Sequence, residues 1–181
     1  MPTLQEQLVK YLTDAHALER NVSRQLDTMI ETTVDAEMKG HLEHHKVETE
    51  RHRELLEQRL EAHGATPSVV KEAGNVFASL GAAVANVARS DNAGKNARDA
   101  FVTESLEIAS YELLERVANF AGDGATVDVA RANRADEEAM AKKISASWDR
   151  VAMDSLREEG VDVDLEIADR LPGGDPAVRQ G

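Results

Sequence analysis

From Leu4 to Leu60 the chain repeats apolar residues at steps of three and four, with one interruption at Thr32-Thr33-Val34-Asp35. That spacing keeps side chains on one face of an α-helix, whereas a strand would alternate every second residue. The first stripe is Leu4, Leu8, Tyr11, Ala15, Leu18, Val22, Leu26 and Met29, with Leu12, Glu19 and Ile30 on its flank. It predicts a helix from about Thr3 to Thr32. The second stripe is Met38, Leu42, His45, Thr49, His52, Leu56 and Leu60. It predicts a helix capped by Asp35 and stopped at Gly64. So short a connection makes the two helices antiparallel neighbours.

The second half repeats the arrangement. Pro67 to Arg89 is rich in alanine, glycine and valine and reads as a crossover containing one or two short helices. A third helix is expected from about Asn96 to Phe120. Its apolar face would be Val102, Leu106, Ala109, Leu113, Val117 and Phe120, widened by Phe101, Ile108 and Tyr111. Gly122-Asp123-Gly124 breaks it, and Thr126 is the expected cap of a fourth helix running to about Glu158. The fourth stripe is Ala130, Asn133, Glu137, Met140 or Ala141, Ile144, Trp148 and Val151. After Gly160 the period fails, so residues 1–159 are expected to form one helical domain and residues 160–181 a flexible acidic tail.

A helical pair, a long crossover and a second helical pair is the layout of a ferritin-like four-helix bundle, an all-α fold. The aromatic content of 3% suits helices better than sheets. The formal net charge of −13 argues against a nucleic-acid partner, which demands a basic face. With no cysteine, the chain has no disulfide, thiolate metal site or cysteine nucleophile. Nothing reads as a signal peptide or a membrane span, so the expectation is a soluble cytoplasmic protein with no membrane partner.

Chemistry concentrates in His41-Leu42-Glu43-His44-His45-Lys46-Val47-Glu48-Thr49-Glu50-Arg51-His52, which holds four of the six histidines. Helical phase divides it. His45, Glu48 and His52 fall inward, and His41 and His44 fall outward, with His16 and His63 also read as surface residues. Carboxylates aimed into one level of a bundle core require a cation or protons, because an unpaired buried charge is costly. Carboxylates with imidazole form the donor set of iron or manganese. The candidate ligands are Glu19, His45, Glu48, His52, Glu107 and Glu137. The bland alternative is that the same groups satisfy one another. A hemerythrin-type site built on His44, Glu48 and His16 lacks the later histidine pair, since none follows His63.

At these residues the chain resembles a known family. Tyr11-Leu12-Thr13-Asp14-Ala15-His16-Ala17-Leu18-Glu19-Arg20 is similar to the opening signature of the YciE/YciF-like ferritin-like proteins, an aspartate followed five residues on by a glutamate. His45-Lys46-Val47-Glu48-Thr49-Glu50-Arg51-His52 resembles their second-helix motif. Thr103 to Tyr111 resembles the third, and Asp136-Glu137-Glu138-Ala139-Met140 the fourth. The resemblance implies a ferritin-like core, a homodimer, a metal site of iron or manganese and a role in stress responses. It does not imply a settled reaction.

The chain departs from the pattern at Ser105, where the family often has histidine. It departs again at Met140 and Thr49, so no complete Glu-x-x-His remains on either helix. One ion, two unequal ions or none are all left open. The leading expectation is a non-cage, metal-binding stress protein, with metal-centred oxidation as its conceivable activity. The alternative is a metal-free bundle acting as a structural or interaction module.

Overall fold

The computed structural model describes residues 1–33, 35–66 and 92–162. The expected crossover helices and the expected tail lie outside the described residues. Five helices follow one another among those described: α1 (Leu4–Thr32), α2 (Ala36–Ala62), α3 (Asn92–Ala121), α4 (Gly124–Ala146) and α5 (Trp148–Glu158).

The helix ends are set by local chemistry. Thr3 and Glu6 cap α1 reciprocally, with Thr3 N donating to Glu6 Oε2 at 2.7 Å and Glu6 N to Thr3 Oγ1 at 3.2 Å. Asp35 accepts from Met38 N at 2.6 Å and caps α2. Gly64 stops α2 at φ +69°, where a side chain would be strained.

Thr126 was the expected cap of α4, but Asp123 does this, accepting from Thr126 N at 3.1 Å. The expected single fourth helix is in fact two. At Ser147 the hydroxyl turns back to the Ile144 carbonyl at 2.8 Å, and the chain restarts as α5. Trp148 is thereby turned to the rim, where its ring meets Phe101 edge-on at 5.7 Å.

Helices α1 and α2 run antiparallel, as shown by side-chain pairs that step in opposite directions: His16 with Glu57 at 2.8 Å, Ser23 with Glu50 at 2.5 Å, and Asp27 with Lys46. His16, expected at the surface, is buried in this seam because its partner comes from the neighbouring helix. Helix α4 runs antiparallel to α3 and alongside α2, where Arg59 reaches Asp123 and Thr126 at 2.9 Å. The end of α2 and the start of α3 lie at opposite ends of the bundle.

The phase of α3 is the main correction. Its buried face is Ala97, Ala100, Glu104, Glu107, Tyr111, Leu114 and Ala118. The expected apolar face is rotated outward: Val102, Leu113 and Phe120 are exposed, Phe120 at 78%. The stripe that turns inward is interrupted by two glutamates, which hid it from a reading based on hydrophobicity.

The core has two apolar clusters. One joins Leu18, Val22, Leu26, Leu42, Met140 and Ile144. The other joins Leu8, Leu12, Leu56, Leu60, Leu114 and Ala130. Burying each such leucine contributes about 1.5–3 kcal/mol, so these clusters hold the bundle together at either side of what separates them.

Candidate metal centre

A belt of buried polar side chains separates the two clusters. Helix α1 contributes Glu19, α2 contributes His45, Thr49 and His52, α3 contributes Glu104 and Glu107, and α4 contributes Asn133 and Glu137. On α2 the two histidines are seven residues apart, two turns on one face, with Thr49 between them donating back to the His45 carbonyl at 3.0 Å.

The belt forms two groups. In the first, ligand atoms of His45, Glu104, Glu107 and Glu137 all lie within 4.8 Å of one another. His45 Nε2 is 3.2 Å from Glu104 Oε2 and 3.2 Å from Glu137 Oε2. In the second, Glu19, His52 and Glu137 meet the same limit. His52 Nδ1 is 2.9 Å from Glu137 Oε1 and 3.3 Å from Glu19 Oε1. Glu137 therefore belongs to both, with one oxygen turned to each.

The sequence-based candidates separate here. Glu19, His45, His52, Glu107 and Glu137 converge. Glu48 does not join either group. Its Oε2 lies 3.2 Å from His45 Nδ1, the nitrogen facing away from Glu137, and its Oε1 lies 3.3 Å from His44. Asp136 does the same for His52, accepting at 3.0 Å on Nε2 while Arg51 holds it from outside. Each imidazole thus has one nitrogen fixed by a half-buried carboxylate and the other aimed into the belt, the arrangement that orients metal-binding histidines. His16 faces Glu57 and His44 is exposed, so a hemerythrin-type set is not assembled.

Glu104 was missed by the sequence reading. The signal was present: Ala97, Ala100, Glu104, Glu107, Tyr111, Leu114 and Ala118 step by three and four without interruption. Tyr111, expected as core, is buried as such, yet its hydroxyl donates to Glu19 Oε1 and accepts from Asn133 Nδ2 at 3.0 Å.

The donor set fits a pair of divalent cations. Nine buried atoms of the belt have no hydrogen-bond partner: Glu19 Oε2, His45 Nε2, His52 Nδ1, Glu104 Oε2, Asn133 Oδ1, and both carboxylate oxygens of Glu107 and Glu137. Native cores leave few such atoms, because each costs about 1–3 kcal/mol. Four carboxylates with two neutral imidazoles carry four negative charges, which two divalent cations balance.

Protons are the alternative counter-charge. Burial pushes Glu19 up, and Glu137 up to about 7. Burial together with the charges of Glu137, Glu19 and Glu104 raises Glu107 well above the usual carboxylate range. Burial opposes charge on the imidazoles, but the carboxylates around them win. Glu104, Glu137 and Glu48 raise His45 to about 9, and Glu137 and Glu19 raise His52 to about 10.

The fold and belt together define a ferritin-like all-α bundle. Over residues 3–156 the chain matches the family described as Domain of unknown function (DUF892), and it belongs to that family. It is similar in structure to a protein of Xanthomonas campestris pv. campestris, at 23% identity and a TM-score of 0.74, covering 87% of this chain and 99% of that one. It is also similar to the E. coli stress protein YciF, at 18% identity and a TM-score of 0.69, covering 87% and 99%. A dodecameric thioferritin related to bacterioferritin, from Bacteroides fragilis, matches at 17% identity and a TM-score of 0.61, covering 86% and 90%. No described helix is long and apolar enough to cross a membrane.

Proposed function

We propose that this chain is a non-cage ferritin-like protein that binds iron or manganese at the centre of its bundle and serves stress physiology, acting as a homodimer in the cytoplasm. The observation that carries the metal reading is the set of buried, unpartnered ligand atoms on all four main helices, aimed at two points on either side of Glu137. Glu19, His45, His52, Glu104, Glu107 and Glu137 would hold the ions. Glu48 and Asp136 would orient the imidazoles, and the two apolar clusters would keep water out. Bound there, the ions would supply one-electron redox capacity towards oxygen or peroxide. The stress assignment rests on the likeness to the E. coli stress protein.

A second reading is supported by the histidines' short distances to carboxylates. Protonated His45 and His52 would neutralise half of the belt's charge without any metal, leaving a structural or interaction module.

Titration of the chelator-stripped full chain with Fe(II) and Mn(II), followed by melting temperature, separates the two. A ligand that binds only the folded state stabilises it, by about 2.7 kcal/mol at a hundred times its dissociation constant, and so raises the melting point with concentration. Metal binding predicts that rise and its loss in Glu137→Ala. No shift with either ion would leave the structural module as the better account.

A further inference from the structure

The end of the bundle where α1 stops and α2 and α3 begin holds a cavity of about 530 Å3. Its floor is apolar and comes from four helices: Met29 of α1, Met38 and Leu42 of α2, Ala97 and Ala100 of α3, and Ile144 of α4. All six belong to the first apolar cluster of the core. Beyond the break at Ser147, α5 supplies a further wall through Val151 and its charged residues. Leu42 and Ala100 stand one turn before His45 and Glu104, so the floor lies one helical turn from the belt without being part of it. Small-molecule pockets have this character: about 300–1,000 Å3, mostly apolar, with a few placed polar groups.

The charged side chains around this cavity already have partners. Arg150 holds Glu37 at 2.5 Å and Asp35 at 3.6 Å, and Arg157 holds Asp154 at 3.4 Å. Glu158 accepts from Ala93 N, at the start of α3, at 3.4 Å. A charged ligand would shed its water here and gain a counter-charge only by breaking one of these pairs, which is costly. Thr32, Thr33 and Asn96 add uncharged hydrogen-bonding groups to the wall. Met29 and Met38 are unbranched and adapt to irregular apolar shapes. We infer that this cavity is a binding site for an uncharged, mainly apolar small molecule that carries a hydroxyl or carbonyl group. The apolar body lies on the floor, and the polar group meets the threonines and Asn96. The site is separate from the belt and does not rest on the metal reading.

The test uses the chelator-stripped full chain with its methionine methyl groups labelled for nuclear magnetic resonance. The probe is prodan, a neutral naphthalene ketone whose fluorescence rises and shifts to the blue in apolar surroundings. A single prodan per chain is expected to bind. The chain has five methionines, and the methyl signals of Met29 and Met38 should move while that of Met1 stays in place. Octanol should displace the probe, whereas octanoate and octylammonium at the same concentration should not. Ala100→Leu, which fills the floor, should weaken binding by at least about ten-fold. Ala97→Leu serves in its place if that protein does not fold, as judged by circular dichroism and melting. Saturating prodan that leaves Met29 and Met38 unmoved would overturn the inference and point to a cavity covered by another part of the chain or by a second copy. Displacement by either charged octyl compound as effective as by octanol would overturn the ligand class. Undiminished binding in a folded Ala100→Leu or Ala97→Leu protein would overturn the location. Because no metal is present in the titration, none of these outcomes bears on metal binding at the belt.

Discussion

His52 Nδ1 and Glu137 Oε1 lie 2.9 Å apart with both side chains fully buried, yet neither atom is aligned for a hydrogen bond. Two polar atoms held this close without an aligned hydrogen bond are placed to share a cation, as proposed above. The same holds for His45 Nε2 and Glu137 Oε2 at 3.2 Å.

Metal-free protein should lose stability as pH rises. Glu137 is raised from 4.5 to about 7, and His45 and His52 from 6.5 to about 9 and about 10. Between those limits the native chain holds protons that the unfolded chain has released, so stability falls with pH. Each contribution is fully present below the ordinary value and gone above the raised one. Melting in chelator should therefore decline from about pH 5 to about pH 10, while Mn(II) affinity should rise over the same interval because the ion displaces those protons. A metal-free melting point that climbs through this interval would contradict the assignment.

Glu107→Leu should stabilise the metal-free chain. Glu107 is 1% exposed and both of its oxygens lack a partner, so an apolar side chain of similar size removes an unsatisfied group. Removing a buried polar group that has no partner gains about 1–3 kcal/mol. Urea unfolding in chelator measures the gain, and the same variant should show a much smaller rise in melting point with Mn(II). A net loss of stability without metal would show that Glu107 has a structural partner.

Neighbouring leucines on α3 should behave oppositely. Leu114 is fully buried and Leu113 is 52% exposed. Leu114→Ala should cost about 2–5 kcal/mol, and Leu113→Ala should fall within about 0.5 kcal/mol of wild type. Equal costs in urea unfolding would mean that α3 is rotated from the phase described.

Asp123 ties α2 to the start of α4. It accepts two bonds from Arg59 at 2.9 Å, one from His63 at 2.8 Å and the capping bond from Thr126. These partners hold its carboxyl well below the usual range, against the pull of burial. Asp123→Ala should cost about 2–3 kcal/mol through the lost cap and charge-assisted bonds. Its Mn(II) stoichiometry, measured on desalted protein, should equal that of wild type, since the latch is remote from the belt. Lost stoichiometry in a folded Asp123→Ala protein would tie the latch to the centre.

How much of this was legible in the sequence depended on how each helix spells its inward face. On α2 every inward position, Met38 through Leu60, was readable because histidine and threonine replaced leucine at only three of seven places. On α1 the leucine ladder located Glu19. On α3 the inward face is carried by alanines, two glutamates and a tyrosine, and a richer apolar stripe lies opposite. Hydrophobic period therefore selected the exposed side and passed over Glu104. The break at Ser147 and the cap at Asp123 depend on individual hydrogen bonds, which spacing does not encode. The roles of Glu48 and Asp136 depend on which imidazole nitrogen faces inward, a matter of rotamer and packing.

The most direct test is anomalous scattering from crystals of the full chain soaked in Mn(II). Two peaks inside the belt are expected, one bounded by His45, Glu104, Glu107 and Glu137 and the other by Glu19, His52 and Glu137. Crystals with no peak in the belt, or with manganese only on the acidic surface, would contradict the account.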